Sequence, residues 1–125
     1  MEVKFKIEKD IINTIIDKMA EIESNDLRIK QLVCNSKDID KIIKERNQYK
    51  KEMNKRMKEL KKQRYEKEEE LIKNGKLKKH STSLSDEEMD NICMKEISDK
   101  NHIFGMEIII SDNNINESEV ILVSE

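Results

Sequence analysis

Proline and tryptophan are absent from this 125-residue sequence, and glycine occurs only at Gly75 and Gly105. With so few chain breakers, long helices are favoured. The two cysteines, Cys34 and Cys93, lie far apart with no framework spacing, which predicts reduced thiols and a cytoplasmic setting. Only Phe5, Tyr49, Tyr65 and Phe104 are aromatic, so platforms for stacking bases are scarce. No apolar run approaches the roughly 18 residues of a membrane span, and the start, MEVKFKIEK, has no signal-peptide core. No glycine-rich loop cradles a phosphate, which excludes P-loop and Rossmann chemistry.

What the chain has is charge. Charged residues make up 42% of it, and the net charge is −2. Ile, Leu, Val and Phe form about a quarter of the chain, enough for a thin core. The charge is strongly divided. Residues 1–40 carry 7 basic and 9 acidic groups, residues 41–79 carry 16 and 7, and residues 80–125 carry 2 and 11. The middle is therefore net +9 and the C-terminal third net −9. A basic middle suits a polyanion or an acidic protein, or else the two oppositely charged stretches attract each other.

Residues 1–7 alternate, with Val3, Phe5 and Ile7 on one face, and predict a strand. From Glu8 the period changes. Ile12, Ile15, Met19, Ile22, Ile29 and Val33 fall at heptad spacing, which predicts one helix to about Cys34, with Asp26 an exposed seam residue. In NSKDID (35–40), Asn35 or Ser36 can cap a second helix, and Asp38 and Asp40 suit its first turn. That helix runs to about Asn74, with Gly75 as its stop. The two helices would form an antiparallel, coiled-coil-like hairpin over 8–74. Residues 75–84 read as a basic linker. Ser85 and Glu88 form a capping box, and Leu84 and Met89 a hydrophobic staple, at the head of a short helix. MEIIIS (106–111) and EVILVS (119–124) read as strands joined in a β-hairpin by DNNINES. Both carry apolar residues on both faces, so both sheet faces should be covered, one by a helix and the other by a helix or a second subunit.

Arg46, Lys50, Lys51, Lys55, Lys58, Lys61 and Lys62 are the candidate partner- or polyanion-binding residues. They would neutralise phosphates without reading sequence, or they simply keep a helix face solvated. Glu45, Glu52, Glu59 and Glu66 recur every seven residues on the same helix. Cys34, His80, Cys93 and His102 are scattered singly, unlike the close pairs of zinc sites, so no metal and no cofactor is expected. Neither cysteine has a sequence neighbour that would activate it, and no catalytic residues are assigned.

A helical hairpin followed by a small β-containing domain resembles the layout of bacterial transcript-cleavage factors, whose acidic hairpin tip holds magnesium in RNA polymerase. The resemblance would place Asp38 and Asp40 at such a tip. None of that family's motifs is visible, and both aspartates are equally suited to a helix N-terminus.

The expectation is an α+β protein. It has a long helical hairpin, a short helix and a three-stranded antiparallel sheet formed by both termini, and it assembles as a homo-oligomer. Its expected role is non-enzymatic: a small adaptor or inhibitor of phage-like size and composition, binding a macromolecular partner through charged helix surfaces. The alternatives are sequence-independent nucleic-acid binding through the basic face of 41–79, and a structural coiled-coil oligomer.

Overall fold

The structure is a computed structural model that describes residues 1–125. Five strands and three helices follow in the order β1 (Glu2–Lys6), α1 (Ile11–Glu23), β2 (Ile29–Cys34), α2 (Ile39–Lys73), α3 (Asp86–Ser98), β3 (His102–Ile103), β4 (Met106–Ile110) and β5 (Glu119–Ser124). Two compact units share the chain: Met1–Gln48 with Asp99–Glu125, and Tyr49–Ser98. No helix is long and apolar enough to cross a membrane.

The first unit is built on a mixed sheet of order β1-β5-β2-β4-β3. Both termini enter it, with β1 antiparallel to β5. β2 lies inside the sheet, antiparallel to β5 and parallel to β4. This corrects three expectations. The sheet has five strands and is mixed, not three and antiparallel. Strands 106–110 and 119–124 are not a hairpin, because β2 separates them. Residues 8–34 are not one helix, so the helical hairpin over 8–74 does not form.

The reason lies in residues 24–34. α1 stops at Glu23, and Asp26 takes a left-handed backbone with φ 60, a conformation that helices do not continue through. Ile29, Leu32 and Val33 have spacings of three and one, compatible with a helix face. The segment is only six residues long, IKQLVC, and so short a stretch reads either way by period. Burial decides it. Leu32 and Cys34 are wholly buried, as are Leu122 and Val120 opposite them.

On this face the rows Val3–Leu122–Leu32–Ile108 and Phe5–Val120–Cys34–Ile110 align across four strands. Ile11, Ile12, Ile15 and Ile22 of α1 and Ile42 of α2 are the buried apolar residues of the helices that cover it. The opposite face carries Val33, Ile109, Ile121 and Val123 at intermediate exposure, interspersed with Lys4, Gln31 and Glu107. One face is therefore covered by helices and the other only partly, against the expectation of two covered faces.

Side chains close the loops of this unit. Asp10 precedes α1 and accepts from the Asn13 N–H at 3.2 Å. Asn35 Oδ1 accepts from the Lys37 N–H at 3.0 Å, and its Nδ2 donates to Ile115 O at 3.2 Å. Asp38, not Asn35 or Ser36, immediately precedes α2. It is buried, and its Oδ2 accepts from the Ser118 N–H at 2.8 Å. Asp112 accepts from both the Ser36 N–H and hydroxyl. The 111–118 connection is thus pinned to the β2–α2 turn. Asp38 is spent on a backbone N–H, which overturns the idea of an acidic hairpin tip. A turn missed in the sequence joins β3 to β4: Phe104 and Gly105, with φ 49 and 81, form the two-residue loop that matches strand twist when both residues are left-handed.

Arg46 is the largest fully buried side chain. Its Nη1 donates to Asp99 O and to His102 O, each at 2.7 Å, and Nε and Nη2 donate to Asn47 Oδ1. It fastens the start of α2 to the segment that brings the chain back into the sheet. Arg46→Ala leaves carbonyls without this donor and is expected to cost about 2–4 kcal/mol in denaturant unfolding. Arg46→Lys recovers only part of that loss, since one ammonium cannot reproduce the fork. Cys34 provides a second check. Burial, reinforced by Asp38 and Asp112, pushes its thiol up to about 11. In the native protein a thiol reagent should therefore label Cys93, which is partly exposed, and reach Cys34 only on unfolding; equal native labelling rates would contradict this packing.

Candidate functional site

The second unit holds the basic stretch of α2 and the chain that runs back along it. Its elements end where the sequence signals stand. Gly75, with φ 73, closes α2: its N–H reaches Ile72 O at 3.1 Å and the Lys76 N–H reaches Leu71 O at 2.8 Å, the paired bonds of a Schellman stop. The Ser85–Glu88 box forms, with the Glu88 N–H on Ser85 Oγ at 3.1 Å and Ser85 bonding back to Glu88 Oε1. α3 then runs antiparallel to α2, as the ladder of contacts between them shows. Asp86 meets Lys61, Asp90 meets Lys58 and Glu96 meets Lys50, each at 2.5 Å. Asn54 Nδ2 adds a bond to Asp90 at 2.8 Å, Lys61 donates to Leu84 O at 3.1 Å, and the Cys93 thiol donates to Lys50 O at 3.6 Å.

This ladder divides the seven predicted site residues into three groups. Arg46 is buried in the first unit and has no place on a binding surface, a correction with a plain cause: its guanidinium is consumed by the carbonyls of Asp99 and His102 and by the side-chain oxygen of Asn47. Lys50, Lys58 and Lys61 do lie on one side of α2, but each is held by a carboxylate of α3, so they are not a bare basic face. Hydrogen bonding to Asp90 raises the Lys58 ammonium above its ordinary value and lowers the carboxyl. Lys51, Lys55 and Lys62 are exposed and form no ion pair. At spacings of four and seven they follow one another along the helix, with Lys58 completing the stripe.

Lys55, Lys58, Lys61 and Lys62 border a groove of about 660 Å³. Its other wall is the returning chain, with Ser81, Ser83, Ser85, Asp86 and Glu88; Glu59 and Glu68 are also in it. The groove therefore mixes both signs of charge with hydroxyls. The structure contains no cluster of three or more His, Cys, Asp or Glu that could hold a metal ion.

The residues that the sequence reading passed over are those that fix the returning chain. His80 stacks on Tyr65 with ring centres 4.0 Å apart and planes 4° apart. Its Nε2 bonds Glu69, and its Nδ1 lies 3.6 Å from Glu68. Glu68 also accepts from the Ser81 N–H at 2.9 Å and from the Ser81 hydroxyl. The EEE run at 68–70 beside a lone H-S pair was the only signal, and eleven or more residues separate the partners. Comparison with protein-family models, curated proteins and solved structures finds no match.

The clamp is pH-dependent. The bond to Glu69, then Glu68, raises His80 above the ordinary histidine range. The Ser81 N–H, then its hydroxyl and His80, lowers Glu68 below the ordinary glutamate range. The histidine contribution is complete below the ordinary histidine value and fades as pH rises through the raised one. The glutamate contribution is complete above the ordinary glutamate value and fades as pH falls. Both are present together from about pH 4.5 to about pH 6.5. An NMR titration should find His80 titrating above a histidine in an unstructured peptide, and Glu69→Gln should bring it down. A midpoint unmoved by Glu69→Gln would show that this carboxylate does not hold the ring.

Proposed function

We propose that the chain is a non-enzymatic interaction protein, a small adaptor or inhibitor, that docks a macromolecular partner on the flank of α2 bearing Lys51, Lys55, Lys58 and Lys62. The observation that carries this reading is the composition of the groove beside that flank. Lysines, carboxylates and serine hydroxyls line it together, and a surface of mixed charge complements another mixed surface. A protein offers that; a phosphodiester backbone offers only anions and gains most from an unbroken cationic track. Electrostatic matching of this kind supplies specificity and encounter rate more than affinity. Two side chains lining the same groove, Leu84 and Tyr65, are about half exposed and can supply the anchoring contact that charge does not.

Sequence-independent nucleic-acid binding is the second reading, favoured by the three unpaired lysines. Fluorescence anisotropy of duplex DNA and single-stranded RNA against the full chain, across a salt series, separates the two. The protein-partner reading predicts weak signals and no steep salt response. A fall of about 10³-fold or more between about 50 and about 200 mM salt would transfer the site to nucleic acid. In parallel, Lys51→Glu, Lys55→Glu and Lys62→Glu combined should abolish capture of the protein partner from the source cell without lowering helicity; unchanged capture would remove this flank from the interface.

A further inference from the structure

Between Lys50 and Lys62, α2 carries six lysines, at 50, 51, 55, 58, 61 and 62. At about 100° per residue all six fall within an arc of about 140°. The order around the helix is Lys50, Lys61, Asn54, Lys58, Lys51, Lys62, Lys55. Asn54 is the one other residue of that stretch inside the arc. The two glutamates of the stretch, Glu52 and Glu59, lie outside it, roughly 200° and 180° from Lys50. The helix by itself therefore presents a cationic track about 18 Å long with no acid in it.

The acids that neutralise part of this track belong to α3. Asp86, Asp90 and Glu96 hold Lys61, Lys58 and Lys50, and Asn54 gives its amide to Asp90. Those four residues of α2 occupy one side of the arc, and the unpaired Lys51, Lys62 and Lys55 complete the other. The lysines lie beneath and the acids outermost. Lys50, Lys58 and Lys61 are 26, 31 and 26% exposed, whereas Glu96, Asp90 and Asp86 are 42, 51 and 63% exposed. α3 buries no side chain of its own. Its seam with α2 thus depends on half-exposed ion pairs, which solvent and salt weaken. The chain on either side of α3 is fastened independently of the ladder: the Asp99 carbonyl accepts from Arg46, and the Ser81 hydroxyl is bonded to Glu68. A segment with few buried contacts between fixed ends opens locally without unfolding its neighbours.

We propose that α3 is an internal mask over a nucleic-acid-binding face of α2, and that lifting or neutralising its three acids turns a track of three available lysines into one of six. The uncovered arc offers six ammonium groups and one amide, all able to donate to phosphate oxygens, and no acid to repel them. Covered, the same face meets an approaching phosphate with the acids of α3 first. A protein partner of mixed charge gains nothing from losing those acids, so the two ligands answer to different states of the chain. The mask does not rest on the protein-partner reading: a failed capture of that partner leaves it standing.

The test follows duplex DNA binding to the full chain by fluorescence anisotropy between about 50 and about 200 mM salt. Six neutralised phosphates give a slope of log K against log salt of about −5, and three give one no steeper than about −3. Asp86→Asn, Asp90→Asn and Glu96→Gln combined should show the steeper slope and bind on the order of a hundredfold or more tighter than wild type at about 50 mM. The control combines Glu117→Gln, Glu119→Gln and Glu125→Gln. It makes the same change in net charge and frees Lys37, Lys4 and Lys30 of the first unit, and it should keep the wild-type slope. A wild type already at about −5 overturns the mask. So does an α3 variant that retains helicity and binds like wild type, or a control that tightens as much. If the combined α3 variant loses helicity, its single substitutions decide: each should steepen the slope by about 0.9, and three singles at the wild-type slope overturn the proposal.

Discussion

A guanidinium held inside the first unit is the constraint on which the chain's path depends. Arg46 is charged, long and 2% exposed. A cation in that position is tolerable only if its donors are met. The acceptors that meet them include the carbonyls of Asp99 and His102, and these are free to accept only because the chain leaves α3 and enters β3 there. One side chain therefore fixes where α2 begins its long run and where the chain rejoins the sheet, 53 and 56 residues later in sequence. Between those points the chain makes a self-contained excursion, Tyr49–Ser98. No side chain of that excursion is fully buried, so its ion pairs, its hydrogen bonds and the Tyr65–His80 stack hold its register.

The net +9 middle and net −9 end do attract, but not as a basic helix clasped by an acidic tail. The pairing acids are Asp86, Asp90 and Glu96 of α3. The carboxylates nearer the C-terminus pair elsewhere: Glu119 with Lys4, Glu117 with Lys37 and Glu125 with Lys30. Removing residues 113–125 would not bare the basic helix. It would remove β5, which pairs with both β1 and β2, and with it the sheet. The antiparallel run of α3 along α2 also gives each lysine its acid in sequence order reversed, so the ladder sets register as well as neutralising charge.

Local signals in the sequence proved readable where one short stretch contains the whole cause. The capping box at Ser85, the stop at Gly75 and the strands at 2–6, 106–110 and 119–124 are of this kind. What failed needed long-range knowledge. Ile29, Leu32 and Val33 satisfy both a helix face and a central strand, and only the presence of β4 and β5 on either side selects the strand. Arg46 reads as one more surface cation in a basic run, because two of its acceptors are distant backbone carbonyls that leave no mark on residue type and the third is the side chain of an ordinary-looking neighbour, Asn47. The same holds for the candidate site. The lysines were legible as a group, but which of them α3 would neutralise follows from a docking that no spacing within 44–70 reveals.

That neutralisation bears on which partner the α2 flank can take. A polyanion approaching Lys50, Lys58 and Lys61 would have to displace three carboxylates already seated at 2.5 Å, and the displaced acids would remain tethered beside the bound phosphates as like charges. Each displaced pair returns less than a free lysine would, since the gain from counterion release has been forgone. A protein surface need not displace them. It can accept Lys51, Lys55 and Lys62 in its own acidic positions and donate to Glu59, Asp86 or Glu88 from its own basic ones, using the ladder as it stands. On the proposed reading, the α3 acids would act as a selectivity element: they leave three lysines available, in a geometry that would reward a partner carrying both signs of charge.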